Sequence, residues 1–178
     1  MAELSIDRLK GALTGGGARA NYFEVIIPTL GGSLTAEEGF LVKAAQLPAS
    51  IIAPITVPFR GRQLQIAGDR TFEPWTITVL NDTNFAIRNK MEEWMNAINQ
   101  HASNKSSEEE DAYYRDAIVR QLDRQGNEVK TYNFIGIWPS NVSSIDVSYD
   151  SENTIEEFTV EFQVTYWTSD TTDTAGTA

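Results

Sequence analysis

Within a strand read from Ile155 to Trp167, polar and apolar side chains alternate strictly from Glu157 to Tyr166. Phe158, Val160, Phe162, Val164 and Tyr166 share one parity, and Glu157, Thr159, Glu161, Gln163 and Thr165 share the other. A helix repeats every 3.6 positions and cannot separate these two sets; a strand, with period two, separates them completely. A strand of this kind puts one face on a core and leaves the other wet, as antiparallel sheets do.

Other stretches follow the same rule. Val142 to Tyr149 sets Ile145, Val147 and Tyr149 against Ser144, Asp146 and Ser148. Ala117 to Leu122 leads through Asp123-Arg-Gln-Gly-Asn127 into Glu128–Ile137, a hairpin with Gly and Asn in its turn. Trp138-Pro139-Ser140-Asn141 is read as its end. Tyr22 to Ile27 is a strand stopped by Pro28, and Phe40 to Leu47 one stopped by Pro48. Between Arg62 and Asp82 the pattern is strand, bend at Ala67-Gly68-Asp69-Arg70, strand, with Trp75, Ile77 and Val79 on one face. One convincing helix runs from Asn84 to His101, with Ile87, Met91, Trp94, Met95 and Ile98 on a single side and Asp82 or Thr83 as its N-cap. The expected fold is mainly β: an antiparallel β-sandwich or partly open barrel with one packed α-helix.

The single domain is expected over residues 21–167, between a flexible arm at 1–20 and a disordered tail at 168–178. Leu4, Ile6, Leu9 and Leu13 make the arm apolar, and Gly15-Gly16-Gly17 hinges it. The triple glycine is not a phosphate loop, which needs Gly-Lys-Ser/Thr entering a helix. Pro48 to Arg62 carries Ile51, Ile52, Ile55 and Val57 between prolines that forbid a central strand. It is either an interface arm or an edge strand folded onto its own core. Residues 102–112, polar and acidic, read as a solvated loop without the spacing of a calcium site.

Composition removes several classes of function. There are 25 acidic against 14 basic residues, for a formal charge of −11, which is the wrong balance for specific binding to phosphates. No cysteine is present, so no thiolate chemistry or disulfide exists, and a lone histidine, His101, supports neither a Ser–His–Asp site nor a zinc site. No cofactor motif appears. No apolar run approaches the ~20 residues of a membrane helix, so no membrane anchor is expected, and assembly in a cytoplasm is.

The run Ala67-Gly-Asp-Arg-Thr-Phe-Glu-Pro-Trp-Thr-Ile-Thr-Val-Leu-Asn-Asp82 resembles the signature of the tail-tube proteins of contractile-tailed bacteriophages. Leu47-Pro48-Ala49, Ala117-Ile-Val-Arg-Gln121 and Gly136-Ile-Trp-Pro-Ser-Asn141 fit the same family in order, so that the resemblance spans about Asn21 to Trp167. It implies a structural subunit of the virion, not an enzyme. Such subunits form hexameric rings that stack into a hollow tube, inside a sheath and between baseplate and tail-terminator proteins. Genomic DNA transits the lumen without specific binding. On that reading Leu4, Ile6, Leu9, Leu13, Ile51, Ile52, Ile55 and Val57 are the candidate subunit interface. The candidate lumen face is Glu157, Thr159, Glu161, Gln163 and Thr165 together with Ser144, Asp146 and Ser148, because a polar, acidic wall does not hold DNA. Those faces would equally suit bulk solvent or the underside of a sheath.

Three other readings remain open. One is the inner tube of a phage-like contractile injection system. Another is a carbohydrate-binding sandwich using Trp138, Trp167 and Tyr149 as a stacking platform. The last is a hydrolase built on two of the many carboxylates.

Overall fold

The computed structural model describes residues 6–13, 17–106 and 112–172. In chain order the elements are α1 (Ile6–Ala12), β1 (Phe23–Ile26), β2 (Pro28–Thr29), β3 (Gly32–Ser33), α2 (Ala36–Gly39), β4 (Val42–Ala45), β5 (Ser50–Phe59), β6 (Arg62–Phe72), β7 (Trp75–Leu80), α3 (Ala86–Ile98), β8 (Arg115–Leu122), β9 (Glu128–Val142), β10 (Glu157–Gln163) and β11 (Tyr166–Ser169). One antiparallel sheet runs β1-β8-β9-β10-β7-β4, with β11 added to β9. β5 and β6 pair only with each other.

The large sheet curls around one core. Val25, Val119, Phe134, Val160, Ile77 and Val42 come from its six successive strands and belong to the same buried cluster. Its two end strands, β1 and β4, do not pair but line a common cavity together with α2, whose Gly39 lies against the Val25 carbonyl. This is the partly open barrel of the two expected architectures. Trp75 is the centre of the core. Its ring stacks on Phe134 at 4.4 Å and on Phe162 at 5.4 Å, and its Nε1 donates to the Gln46 carbonyl at 2.9 Å. α3 closes the core with Ile87, Met91 and Trp94, and Trp94 Nε1 donates to the Tyr113 carbonyl at 2.9 Å.

The alternating run at 155–167 is not one strand. β10 pairs with the last part of β9 and β11 with its middle, on the same side, so the two are pieces of one ladder with an interruption. The interruption lies at Val164 and Thr165, opposite Gly136. Gly136 has φ +62°, and a Cβ there would meet Thr165 Oγ1 at 2.6 Å. β9 is bulged here against β8, between the Arg115–Ile137 and Ala117–Phe134 pairs, while its register with β10 and β11 is the same on both sides of the break (Gln163 opposite Trp138, Tyr166 opposite Ile135), so the buried side changes in both strands together. Tyr166, expected inside with Phe158 and Val160, is therefore exposed, while Ser169 is buried. β9 itself passes through Trp138-Pro139 to Val142 and does not stop there. It ends where Ser143 Oγ accepts the Thr159 amide at 2.9 Å. Beyond that point no strand is left to pair with, and 143–148 forms no element, so the expected strand Val142–Tyr149 is absent.

α3 begins at Ala86, after Phe85 in a left-handed conformation (φ 54°). Asp82 still serves the helix, since its Oδ1 accepts the Ala86 amide at 2.8 Å. α2 starts with a capping box between Thr35 and Glu38. Lys90 of α3 donates to both oxygens of Glu38, at 2.6 and 2.7 Å, tying the two helices together. Burial pushes the Glu38 carboxyl up, but hydrogen bonds from Lys90 and Thr35 outweigh it and hold the group below the usual carboxylate range. A depressed carboxylate stabilises the fold above its unfolded pKa and loses that contribution as pH falls through the folded one. Glu38→Ala is therefore expected to cost roughly 1–2 kcal/mol at neutral pH. In urea unfolding the gap to the parent should shrink once the pH is below the ordinary glutamate range.

β5 and β6 form a hairpin over 50–72 that stands off the barrel. Ala67-Gly68-Asp69-Arg70 is not a bend but lies inside β6. Gly68 is needed there because a Cβ would lie 2.6 Å from the Ala53 carbonyl, at the bulge between Ile52 and Pro54. The turn is Arg60-Gly61, both at positive φ (44° and 82°), as a two-residue hairpin turn requires. Trp167 holds the root: its Nε1 donates to the Ala49 carbonyl at 3.1 Å and its ring meets Phe72 edge-on. At the C-terminal end, Thr168 and Ser169 belong to β11, so the expected loose tail does not begin at Thr168.

Candidate functional site

The hairpin is amphipathic and unburied. Its register pairs Ile55 with Ile66 and Val57 with Leu64, and alternation places these four with Phe59 on one face. All five are exposed, from Val57 at 40% to Phe59 at 68%. Gln63, Gln65, Thr56, Pro54 and Pro58 occupy the other face. The reading of Pro48–Arg62 as an edge strand folded onto its own core does not hold. The segment is a regular strand, yet it does not fold onto its own core. Ile55 and Val57 share its apolar face, Ile51 and Ile52 lie beyond the bulge as consecutive residues on opposite faces, and Phe59, Leu64 and Ile66 were not anticipated as part of the set. Their signal was in the sequence: Leu64 and Ile66 alternate with glutamines just beyond the Arg-Gly turn.

α1 is a single seven-residue helix with no buried residue. Ile6 and Leu9 on it and Leu13 just beyond it are exposed, and Leu4 lies outside the described residues. Gly15 and Gly16 of the expected hinge also lie outside them, as do residues 107–111 of the acidic loop.

The outer face of β10 carries Glu157, Thr159, Glu161 and Gln163. Thr78 lies opposite Thr159 and Thr76 opposite Glu161 on β7, extending the polar face. Ser140 of β9 joins it, with its Oγ 3.1 Å from the Glu161 carbonyl, which it donates to, and accepting from Gln163 Nε2 at 3.3 Å. Lys43 pairs with Glu157. Thr165 does not belong to this face. Its amide donates to the Ile135 carbonyl and its hydroxyl to the Gly136 carbonyl, so it clamps the bulge. Ser144, Asp146 and Ser148 share no strand face with β10, since 143–148 is irregular.

Trp138, Trp167 and Tyr149 do not make one platform. Trp138 meets Tyr113 edge-on, Trp167 meets Phe72 and Tyr132, and Tyr149 sits exposed in a turn. Among the described residues no three His, Cys, Asp or Glu side chains gather as a metal site, and no helix is long and apolar enough to cross a membrane.

A family model described as phage tail tube protein matches residues 18–170. The chain belongs to the phage tail tube protein family. Tail tube protein gp19 of Enterobacteria phage T4 is 38% identical over 151 residues, covering 84% of this chain and 90% of that one. The tail tube protein of Serratia phage KSP90 is 31% identical over 165 residues, covering 89% and 93%. The tube-terminating cap of the anti-feeding prophage superposes with a TM-score of 0.64 at 16% identity, covering 85% of this chain and 89% of that one. A sheath/tube terminator of the extracellular contractile injection system PVC gives 0.63 at 13%, covering 85% and 94%. Those two likenesses show a shared fold. Membership of the tail tube family makes the chain a virion structural protein.

Proposed function

We propose that this protein is the inner-tube subunit of a contractile phage tail, that hexameric rings of it stack into a hollow conduit, and that genomic DNA is ejected through the lumen. The observation that carries this is an amphipathic hairpin with its apolar face in water, on a member of the tail tube family. A hairpin of two strands is marginal alone and gains stability only when that face is covered. The chain is a mechanical part, and we assign it no reaction. Sheath, baseplate and terminator proteins are its partners in the tail. Negative-stain microscopy of purified protein tests the reading: rings and tubes are expected, and a strict monomer at high concentration overturns it. Relatives at 31–38% identity are phage tubes, which favours DNA over protein as the cargo.

The polar face of β10 and β7 is our candidate for the lumen wall. Glu157 is a poor site for a charge reversal, since a lysine there would confront Lys43 across the sheet. Thr159→Lys with Glu161→Lys is the cleaner test. The expected outcome is normal tubes and slower genome ejection, more so at low salt, because added cations hold phosphates and salt screens them. Ejection at the parent rate in low salt would place this face away from the channel.

A further inference from the structure

We infer that Trp167 aims the hairpin: it is the positioning residue that fixes the direction in which β5 and β6 leave the barrel, and the break at Gly136 and Thr165 turns it to that task. This deepens the reading of the chain as a tube subunit and rests on it for its purpose, since a fixed direction matters to a part that must fit others.

The hairpin is a lever with a narrow mount. β5 has ten residues and β6 eleven, and neither pairs with the barrel. Ten residues of strand extend about 33 Å, so a tilt of about 20° at the root moves the tip by about 11 Å, roughly twice the ~4.8 Å between paired strands. The chain enters through Gln46-Leu-Pro-Ala49 and leaves through Glu73-Pro74. The first connector hangs on two indoles. Trp75 Nε1 donates to the Gln46 carbonyl at 2.9 Å and Trp167 Nε1 to the Ala49 carbonyl at 3.1 Å. Trp75 is sealed in the core and fixes where the connector starts. Trp167 reaches the hairpin itself. Its ring meets Phe72 edge-on at 6.3 Å, and Phe72 pairs with Ser50, the neighbour of Ala49, across the root. Among the described residues, these are the only hydrogen bond and the only ring contact between residues 49–73 and the rest of the chain.

Trp167 is itself braced, and a backbone feature turns it. In register it lies opposite Phe134, on the core side of β9, and its ring also meets Tyr132 edge-on at 5.9 Å. β11 is fastened at its far end, where Asp170 accepts the Thr131 amide at 3.1 Å. The parity of Phe158, Val160 and Phe162 would carry Tyr166 inward and turn Trp167 away from the core. The break reverses this, and Tyr166 is the exposed one of the two. An indole suits the place because it combines a broad apolar ring with a single donor, and so reaches two points of the hairpin at once. A phenylalanine there would keep much of the packing and drop the link to Ala49.

The chain has no cysteine, so spin labels on Gln63→Cys near the hairpin tip and Glu93→Cys on the exposed side of α3 report the direction through the spread of distances between them. In free subunits below the assembly concentration the parent should give one narrow distribution. Trp167→Ala should widen it by at least about twofold, given the length of the lever, and Trp167→Phe should widen it less. If Trp167→Ala fails to fold, Trp167→Phe carries the comparison. Val160→Ala, in the core on β10, lowers thermal stability without touching the mount and should leave the width unchanged. A broad parent distribution overturns the inference. So does an unchanged width in the Trp167 variants, and so does equal broadening in Val160→Ala, which would reduce Trp167 to a part of the core. When only a fraction of subunits point correctly, apparent affinity falls by that fraction, so a roughly tenfold spread of directions raises the concentration needed for tubes about tenfold. Tubes at the parent concentration despite a widened distribution would overturn the role of the aim in assembly. If the parent forms no tubes, the reading as a tube subunit fails while the aiming seen in the free subunit stands.

Discussion

Replacing Ile55 and Leu64 together by glutamate yields a folded monomer that does not assemble. Both side chains lie on the exposed face of the hairpin, where they touch nothing that holds the barrel together. Exposed substitutions of this kind shift stability by no more than about 0.5 kcal/mol. In an interface the same residues are buried, and each contributes roughly 1.5–3 kcal/mol. Two carboxylates left in an apolar contact add a desolvation penalty, so the assembled fraction should fall by several orders of magnitude. Sedimentation velocity and thermal unfolding on one sample check both halves. Unchanged tubes would remove the hairpin from the interface. A collapsed melting temperature would make it part of the barrel core.

Trp75→Ala should be the most damaging single change to the subunit itself. It removes the ring that Phe134 and Phe162 stack on, and deletes the hydrogen bond to the Gln46 carbonyl. Large aromatic deletions of this sort cost about 3–5 kcal/mol, a large share of the 5–15 kcal/mol that stabilises a typical domain. Trp75→Phe keeps most of the stack and should lose roughly half as much. Urea unfolding followed by circular dichroism measures both. A loss below about 1 kcal/mol for the alanine variant would show that the core closes around the gap.

Legibility in the sequence depended on how local the deciding interaction is. The face of α3 was readable because helical spacing depends only on neighbours along the chain, and Ile87, Met91 and Trp94 are buried as it requires. The alternation of β7 and β10 was readable for the same reason. Tyr166 was not: its side is set by Thr165 bonding across to Gly136, 29 residues away. Val147 and Tyr149 alternate well enough for a strand, but no neighbouring strand reaches them, and alternation cannot reveal a missing partner. Pro54 and Pro58 were read as obstacles to a central strand, which is right. Their placement on the outward pairs of a freestanding hairpin depends on the register with β6. Of the candidate site, Ile55 and Val57 were found, while Leu64 and Ile66 were seen as strand residues without being connected to them.

The strand order sets a timetable. β1 pairs with β8 and β7 with β10, so the barrel cannot close until segments some 80 residues or more apart have met. Pairings that distant form in milliseconds to seconds. β5 and β6 are joined by two residues, and a hairpin of that kind forms in about 1–10 μs. During each round of synthesis the adhesive part of the subunit is therefore made early, before β8 to β11 have left the ribosome. It is exposed to every other nascent copy until the barrel that carries it has closed. Strand pairing between copies in that interval is limited on one side, because Pro54 and Pro58 leave the outer edge of β5 short of donors.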